Sequence, residues 1–79
     1  MTIQLFTRPE CHLCDEAMVL ASALGIAELI TEVDIEPNIK LLSRYGDKVP
    51  VLRWQNGTEL GWPFDLEQLE KTHRAATNG

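Results

Sequence analysis

Two cysteines, three positions apart, are the side chains of this sequence best suited to chemistry. Cys11 and Cys14 follow a short apolar segment and open a stretch in which apolar residues recur at helical spacing. In a first helical turn, residues i and i+3 lie close enough to form a disulfide without moving the backbone. The free N–H groups and the positive dipole end of such a helix favour a thiolate at Cys11. We therefore predict that Cys11 is the exposed attacking sulfur and that Cys14, one turn deeper, is the resolving one.

Two other interpretations of the cysteine pair stay open. The cysteines can be small core residues without chemistry, or they can bind a metal together with His12 or His73. Structural zinc sites usually take four protein ligands, and this chain supplies four only with favourable geometry. A disulfide between residues so close in sequence constrains little of the unfolded chain, so a purely structural role is disfavoured. Redox chemistry is the preferred interpretation.

The composition is that of a small, acidic, globular chain. Its 79 residues suit a single domain over 1–79, and a hydrophobic fraction of 44% is typical of a folded protein. The formal net charge of −5 and the scattered basic residues argue against a nucleic-acid partner. We find neither a signal-peptide pattern nor the roughly 20 apolar residues that span a bilayer. We expect a cytoplasmic protein with no membrane partner, and in that compartment a lone cysteine pair is rarely structural.

The elements that must position the cysteines follow from apolar spacing and turn residues. The pattern predicts strands at 2–6, 29–35, 49–54 and 58–61, and helices at about 13–24, 37–46 and 65–73, in the order β-α-β-α-β-β-α. The first strand, helix and second strand imply a parallel pair with a right-handed crossover. Gln55-Asn56-Gly57 predicts a hairpin turn. The fold class is therefore α/β, with a four-stranded mixed sheet and three helices.

Helix ends and several apolar or aromatic positions carry further predictions. Gly25 is expected to end the first helix, and Asp65 with Gln68 to form a capping box at the last one. Residues 75–79 are expected to fray. The remaining expectations concern apolar faces and side-chain roles: Ile39, Leu41 and Leu42 as the apolar face of the short helix, Trp54 as packing, Trp62 and Phe64 as core or as a substrate rim, and His73 as a helix-end cation.

Three segments match one known family in the same order. Residues 5–14 (LFTRPECHLC) match its strand, basic residue and cysteine pair, and residues 45–52 (YGDKVPVL) match its cis-proline segment. Gly61 and Asp65 align with the end of the hairpin and the last helix. The chain thus resembles a glutaredoxin-like member of the thioredoxin superfamily, and most closely the small bacterial group with a Cys-x-Leu-Cys pair. The resemblance implies a thioredoxin-like fold and a dithiol cycle at Cys11 and Cys14.

The resemblance also implies roles for residues away from the cysteines. Pro50 is the expected cis-proline, and the backbone of Val49 before it is expected to pair with a substrate segment like an added strand. Arg8 stands where glutaredoxins often carry a lysine that helps to hold the carboxylate of glutathione. Considered alone, Arg8 is a surface charge and Pro50 an ordinary trans proline that opens an edge strand.

Two departures from the family pattern concern the substrate. Glutaredoxins usually have Cys-Pro-Tyr-Cys, whereas His12 and Leu13 stand between the cysteines here. His12 can donate to the Cys11 thiolate or stabilise it by charge, or it can be an exposed neutral histidine with a modest effect. Gly61 retains the first glycine of the family's glutathione-binding segment, but Trp62 replaces the second. A tryptophan there obstructs close approach of a ligand to the backbone.

We therefore predict a thiol–disulfide oxidoreductase that reduces protein disulfides or glutathione mixed disulfides through a dithiol cycle. Glutathione is a possible co-substrate, and we expect no tightly bound cofactor, no metal, and a monomer. Two alternatives remain open. One is a redox-inert thioredoxin-fold module that binds a protein partner, and the other is a metal or iron–sulfur site based on Cys11, shared across a dimer.

Overall fold

Residues 2–77 are described by the computed structural model, and they form four strands and three α-helices. The elements are β1 (Ile3–Thr7), α1 (His12–Leu24), β2 (Ile30–Asp34), α2 (Ile39–Tyr45), β3 (Val51–Trp54), β4 (Glu59–Gly61) and α3 (Leu66–Thr77). A short 3-10 helix at Ala27–Leu29, which the sequence analysis did not anticipate, precedes β2. The order of strands and α-helices confirms the predicted one. Within residues 2–77, none of the helices is long and apolar enough to cross a membrane.

The four strands form one mixed sheet in the order β2-β1-β3-β4. β1 runs parallel to β2 and antiparallel to β3, and β4 is antiparallel to β3. The parallel pair is joined through α1, as a strand–helix–strand unit requires. Because β1 lies inside the sheet, its carboxyl end is a rigid base for the chain that leads to Cys11.

Apolar side chains on the two faces of the sheet form two packed clusters. Ile3 and Leu5 alternate along β1 toward α1 and α3, while Phe6 faces α2 on the other side. The larger cluster consists of Ile3, Leu5, Ala17, Ala21, Ile26, Leu52, Trp54, Phe64 and Leu69. The smaller one consists of Phe6, Ile35, Tyr45 and Val51. The sheet is therefore covered on both faces, and this period-two alternation is the one predicted for β1.

The predicted turn and cap residues adopt the expected local geometry. Gly25 ends α1 in the left-handed conformation, with φ of 84°. At the start of α3, the Gln68 N–H donates to Asp65 Oδ1 at 2.8 Å, and the Asp65 N–H donates to Gln68 Oε1 at 3.0 Å. This reciprocal pair is the predicted capping box. The hairpin turn closes through the Gly57 N–H, which donates to the Trp54 carbonyl at 2.9 Å.

The short helix α2 differs from its prediction in two respects. It begins after Asn38, whose side chain accepts the N–H groups of Lys40 and Leu41, so Pro37 lies outside the helix instead of in its first turn. Ile39 was expected on the apolar face, but its side chain is 81% exposed. Leu41 and Leu42 do pack against the smaller cluster. Starting the helix at Asn38 directs the first-turn residue away from the sheet.

The last helix continues past the point where fraying was predicted. α3 extends to Thr77, and Ala76 packs against the larger core cluster. The Thr77 hydroxyl also donates to the carbonyl of His73 at 2.8 Å. Ala75 and Ala76 have high helix propensity, and burial of Ala76 adds a tertiary contact that holds the last turn. Residues 78–79 of the predicted frayed tail lie outside the described part of the chain.

Candidate active site

The two cysteines form a disulfide at the start of α1, directly after the loop that follows β1. Cys11 is the N-cap residue of the helix, and its sulfur accepts the backbone N–H of Cys14 at 3.2 Å. The Cα atoms of the pair are 5.3 Å apart. Cys14 is only 3% exposed, whereas Cys11 is partly accessible. The sulfur of the more accessible cysteine therefore lies at the positive end of the helix, where an N–H donor and the helix dipole favour its thiolate.

The backbone before Cys11 has an unusual conformation. Glu10 has φ of 58°, in the left-handed region that residues with a Cβ rarely adopt. For a residue other than glycine this conformation costs on the order of 1–2 kcal/mol. The tight turn at Pro9 and Glu10 redirects the chain from β1 into α1. Strain of this kind is common at functional sites, where the surrounding structure holds it in place.

Arg8 binds the neighbouring loops instead of projecting freely into solvent. Its Nη2 lies 3.3 Å from Glu36 Oε1, and its Nη1 donates to the carbonyl of Gly46 at 3.2 Å. Arg8 thereby joins the turn after β1 to the end of α2. A carboxylate ligand at Arg8 has to compete with Glu36, which sequence reasoning did not identify as a partner. His12 is the first residue of α1 and is exposed.

A groove of about 660 Å³ lies beside the cysteine-bearing helix, and we name it the Val49 groove. It brings together Leu13, from between the two cysteines, with Val49, Gly61 and Trp62. Its full lining is Leu13, Arg44, Tyr45, Asp47, Lys48, Val49, Val51, Glu59, Gly61 and Trp62. Three of the six predicted substrate-binding residues thus share one surface, whereas Arg8, His12 and Pro50 are not part of this lining.

The Val49–Pro50 segment forms an edge of this groove. Its peptide bond is cis, Pro50 is buried, and the Pro50 carbonyl accepts the N–H of Trp62 at 3.0 Å. Within residues 2–77, the backbone N–H and carbonyl of Val49 have no hydrogen-bond partner. Val49 therefore presents a free donor and a free acceptor next to the groove, which is the requirement for pairing with an extended peptide.

Tyr45 and Glu59 form a wall of the groove that sequence reasoning missed. The buried Tyr45 ring stacks on Phe6 with centroids 4.5 Å apart, and its hydroxyl donates to a Glu59 carboxylate oxygen. Burial, together with this bond to Glu59, raises the pKa of the Tyr45 hydroxyl above its ordinary value. The one sequence signal that Tyr45 lines the groove is its position, directly before the loop that leads to Val49. Glu59, on β4, has no such signal.

Charged side chains of both signs line the Val49 groove. Arg44 and Lys48 supply cations, and Asp47 and Glu59 supply carboxylates. The Arg44 guanidinium carbon lies 5.3 Å from the centre of the Tyr45 ring, which holds that cation against the groove wall. Such a surface suits a ligand that carries both amino and carboxylate groups.

The aromatic residues divide between core and surface. Phe64 is buried in the larger cluster, whereas Trp62 is partly exposed and contacts Phe64 edge-on, with centroids 5.0 Å apart. Trp54 is packed in the core, and its indole N–H donates to Nδ1 of His73 at 3.0 Å. The prediction that His73 is a helix-end cation is wrong, because α3 continues beyond it and its ring accepts a hydrogen bond from the core.

The described residues of a single chain do not group enough donor side chains to bind a metal ion. Between residues 2 and 77, no three or more His, Cys, Asp or Glu side chains are gathered as a metal site needs. Cys14 is also buried. The site described above therefore consists of the cysteine pair and the Val49 groove.

Comparison with known proteins identifies the family and the fold of the chain. The family model of the glutaredoxin-like domain (DUF836) matches residues 2–72, so the chain belongs to the glutaredoxin-like family. The X-ray structure of XcR50, a structural-genomics target from X. campestris, is similar at 41% identity with a TM-score of 0.86, over 95% of this chain and 99% of that one. The solution structure of XcR50 has 42% identity and a TM-score of 0.84, over 96% of each chain. No curated protein matches the chain.

These similarities establish the class of protein. The four-stranded mixed sheet, the three helices and the Cys-x-x-Cys pair define a thioredoxin-like fold of the glutaredoxin-like kind. The protein is therefore a thioredoxin-fold protein related to thiol redox chemistry.

Proposed function

We propose that the protein is a thiol–disulfide oxidoreductase that reduces disulfides of proteins or mixed disulfides with glutathione. The observation that carries the proposal is the pairing of a partly accessible Cys11 sulfur, at a helix N-terminus, with a buried Cys14. Activated thiolates occur in this setting, because backbone N–H groups and the helix dipole stabilise the negative charge. Burial of Cys14 keeps the second sulfur away from solvent but within bonding distance of the first.

The reaction follows from thiol–disulfide exchange. The Cys11 thiolate attacks one sulfur of the substrate disulfide, so that a Cys11–substrate bond forms and the other substrate sulfur leaves as a thiolate that takes up a proton. Cys14 then loses its proton and attacks the Cys11 sulfur, which releases the second substrate thiol. Two electrons pass to the substrate, and the protein ends as the Cys11–Cys14 disulfide. A thiol reductant, either glutathione or the dithiol of a reductase, restores the reduced pair.

The Val49 groove supports a peptide-like substrate. Its free backbone donor and acceptor at Val49 suit an extended chain. Its two cations and two carboxylates suit the charged groups of a peptide or of glutathione. Trp62 narrows the groove where the family pattern has a glycine, which favours a protein segment over close backbone contact with glutathione. We further propose that the protein acts as a cytoplasmic monomer without a tightly bound cofactor.

The first test is the reduction potential of the Cys11–Cys14 pair, measured by equilibration in glutathione buffers and mass-shift alkylation. We expect a reversible disulfide with a potential between about −180 and −280 mV, the range of working oxidoreductases. A pair that forms no disulfide, or one far below about −300 mV, contradicts the dithiol cycle. A redox-inert binding module or a Cys11-based metal site then becomes the better candidate.

A trapping experiment separates the roles of the two sulfurs. Cys14→Ala keeps a small apolar side chain in the core, so we expect it to fold, to attack a disulfide once and to accumulate the mixed disulfide. Cys11→Ala is the matched control and should form no mixed disulfide. If the two variants trap substrate equally, the assigned order of attack is wrong.

A further inference from the structure

A second groove lies on the other side of Trp62, between α1 and the segment that joins β4 to α3, and we name it the apolar groove. It has a volume of about 350 Å³ and is lined by Glu16, Val19, Leu20, Trp62, Phe64 and Asp65. Four of these six side chains are apolar, and they come from two elements that the core holds together. Its size falls at the lower end of the range for binding pockets, about 300–1,000 Å³.

Two of the four apolar residues of this groove, Val19 and Trp62, remain accessible, whereas Phe64 is buried and Leu20 packs against the core. The core-facing side of α1 is supplied by Ala17 and Ala21, whereas Val19 is 67% exposed. Trp62 is only partly covered. Single exposed apolar residues are ordinary, but here Val19 and Trp62 line one groove, which gives an apolar side chain of a partner a place to insert. Tryptophan, which lines this groove at Trp62, is among the residue types that contribute most to protein interfaces.

The charge of the apolar groove selects the kind of partner. Both charged side chains in its lining are acidic, Glu16 from α1 and Asp65 from the start of α3. The ion pairs formed within residues 2–77 involve Glu36, Glu67 and Glu70, so no ion pair neutralises these two carboxylates. The chain as a whole carries a net charge of −5. A basic partner is therefore attracted both by the local carboxylates and by the overall field.

Trp62 connects the apolar groove to the candidate active site. Its side chain lines the Val49 groove on one side and the apolar groove on the other. A peptide that pairs with the backbone of Val49 can therefore continue across Trp62 and insert a neighbouring side chain between Val19 and Phe64.

We propose that the apolar groove docks a protein segment in which an apolar side chain is flanked by lysine or arginine. This inference rests on the proposed function and deepens it, because it gives the chemistry of the protein disulfide that the enzyme selects. The apolar side chain fills the space beside Trp62, and the basic residues bind Glu16 and Asp65. Acidic or purely polar disulfide substrates lack both contacts and are reduced more slowly.

The binding test uses the oxidised full chain and a cysteine-free peptide with a leucine between lysines. The reference peptide replaces the lysines by glutamates. We expect the lysine peptide to bind at least about tenfold more tightly at low salt, with the advantage falling as salt screens the charges. NMR shift changes should centre on Val19 and Trp62. Equal affinity for both peptides, or shifts confined to another surface, overturns the proposal.

Matched variants test each contact. Glu16→Gln with Asp65→Asn removes both charges and retains a good helix cap, and should weaken the lysine peptide about tenfold. Glu28→Gln with Glu32→Gln removes two exposed charges elsewhere and should leave binding unchanged.

The apolar contact has its own matched pair. Val19→Ser should weaken binding about three- to tenfold, while Ile39→Ser alters a comparably exposed apolar residue on α2 and should have no effect. Circular dichroism and thermal unfolding establish that each of these variants folds. Loss of binding by the charge control, Glu28→Gln with Glu32→Gln, or by Ile39→Ser overturns the assigned site.

A kinetic comparison distinguishes failure of this inference from failure of the proposed function. A version of the basic peptide that contains one cysteine, held in a mixed disulfide, is compared with bis(2-hydroxyethyl) disulfide, which is small and uncharged. We expect Val19→Ser to slow reduction of the peptide and to leave reduction of the small disulfide unchanged. If wild type reduces both at rates that the variants do not change, docking is refuted and the oxidoreductase stands. If neither substrate is reduced, the oxidoreductase fails, and the cysteine-free peptide still decides the docking site.

Discussion

Gly46 is the position where one added methyl group should disturb the candidate site most directly. It ends α2 and starts the loop that leads to Val49, and its carbonyl accepts the Arg8 guanidinium. A Cβ at this position would lie 2.6 Å from the carbonyl oxygen of Leu42. The Gly46 N–H already donates to that oxygen at 2.8 Å, so the backbone is held in place there. The methyl group of Gly46→Ala can therefore be accommodated only by a movement of the backbone at Leu42 or at residue 46, because no flexible side chain can move out of its way.

The expected cost follows from this distance and from a matched control. Relief of the clash needs a movement of at least about 0.4 Å, because the Cβ would lie at 2.6 Å and real Cβ atoms essentially never come within 3.0 Å of such a neighbour; overpacking of this kind costs about 1–3 kcal/mol. Gly→Ala also restricts the unfolded chain, which stabilises the protein by about 0.4–1 kcal/mol. Gly61→Ala shares this second effect, but no atom lies within 4 Å of its added Cβ. The difference between the two variants should therefore be about 1–3 kcal/mol.

Urea unfolding followed by tryptophan fluorescence measures this difference. We expect Gly61→Ala to be as stable as wild type or slightly more so, and Gly46→Ala to unfold earlier than both. In thermal unfolding, the difference corresponds to roughly 5 to 20 °C for a domain of this size. Gly46→Ala should also loosen the Arg8 contact, so Arg8→Ala should cost less in that background than in wild type. Equal stability of the two alanine variants would refute the steric reasoning.

Three further predictions concern side-chain contacts. Tyr45→Phe should lower the free energy of unfolding by only about 1 kcal/mol in urea. It removes the hydrogen bond to Glu59, but the exposed Glu59 carboxylate regains water. The fold raises the pKa of the Tyr45 hydroxyl. The protonated hydroxyl therefore contributes fully to the free energy of unfolding below the ordinary tyrosine pKa, and this contribution is lost as pH rises through the raised pKa. Tyr45→Phe should abolish this loss of stability at alkaline pH. His73→Leu should lower the free energy of unfolding by about 1–3 kcal/mol, because it leaves the buried indole N–H of Trp54 without an acceptor. In a Trp54→Phe background this N–H is absent, so the same substitution should cost much less. Lys71→Ala, which removes an exposed ion pair on α3, should change stability by less than about 0.5 kcal/mol, and a larger loss would contradict its surface assignment.

The elements and their ends were largely predictable because local rules decide them. The alternation of Ile3 and Leu5 predicts a strand with one core face, and the structure buries both residues in one cluster. Gly25 and the Asp65–Gln68 pair act through backbone groups within one helical turn, so their roles follow from residue type and spacing. Ile39 shows the limit of such rules, because α2 begins two residues later than predicted and the side chain of its first residue faces solvent.

Some features of the candidate site also lay within reach of sequence. The cysteine spacing, the position of Cys11 before a helix, and the likeness of residues 45–52 to a family segment are all local observations. They were sufficient to predict the fold and the family, which the comparisons confirm, and the structure joins Cys11 and Cys14 in a disulfide. The helix setting of Cys11 needs no contact from distant residues, because the first turn of α1 supplies its own free N–H groups.

Contacts between residues distant in sequence were decided only by the tertiary structure. Glu59 meets Tyr45, and His73 accepts from Trp54, because the sheet and α3 bring them together across 14 and 19 positions. Residue type alone does not choose among several possible partners for such groups, since the choice depends on how packed elements orient them. By itself the sequence determined which segments form strands and helices and which cysteine lies at the start of α1. Packing of those segments determined the lining of both grooves, because each groove consists of side chains contributed by separate elements.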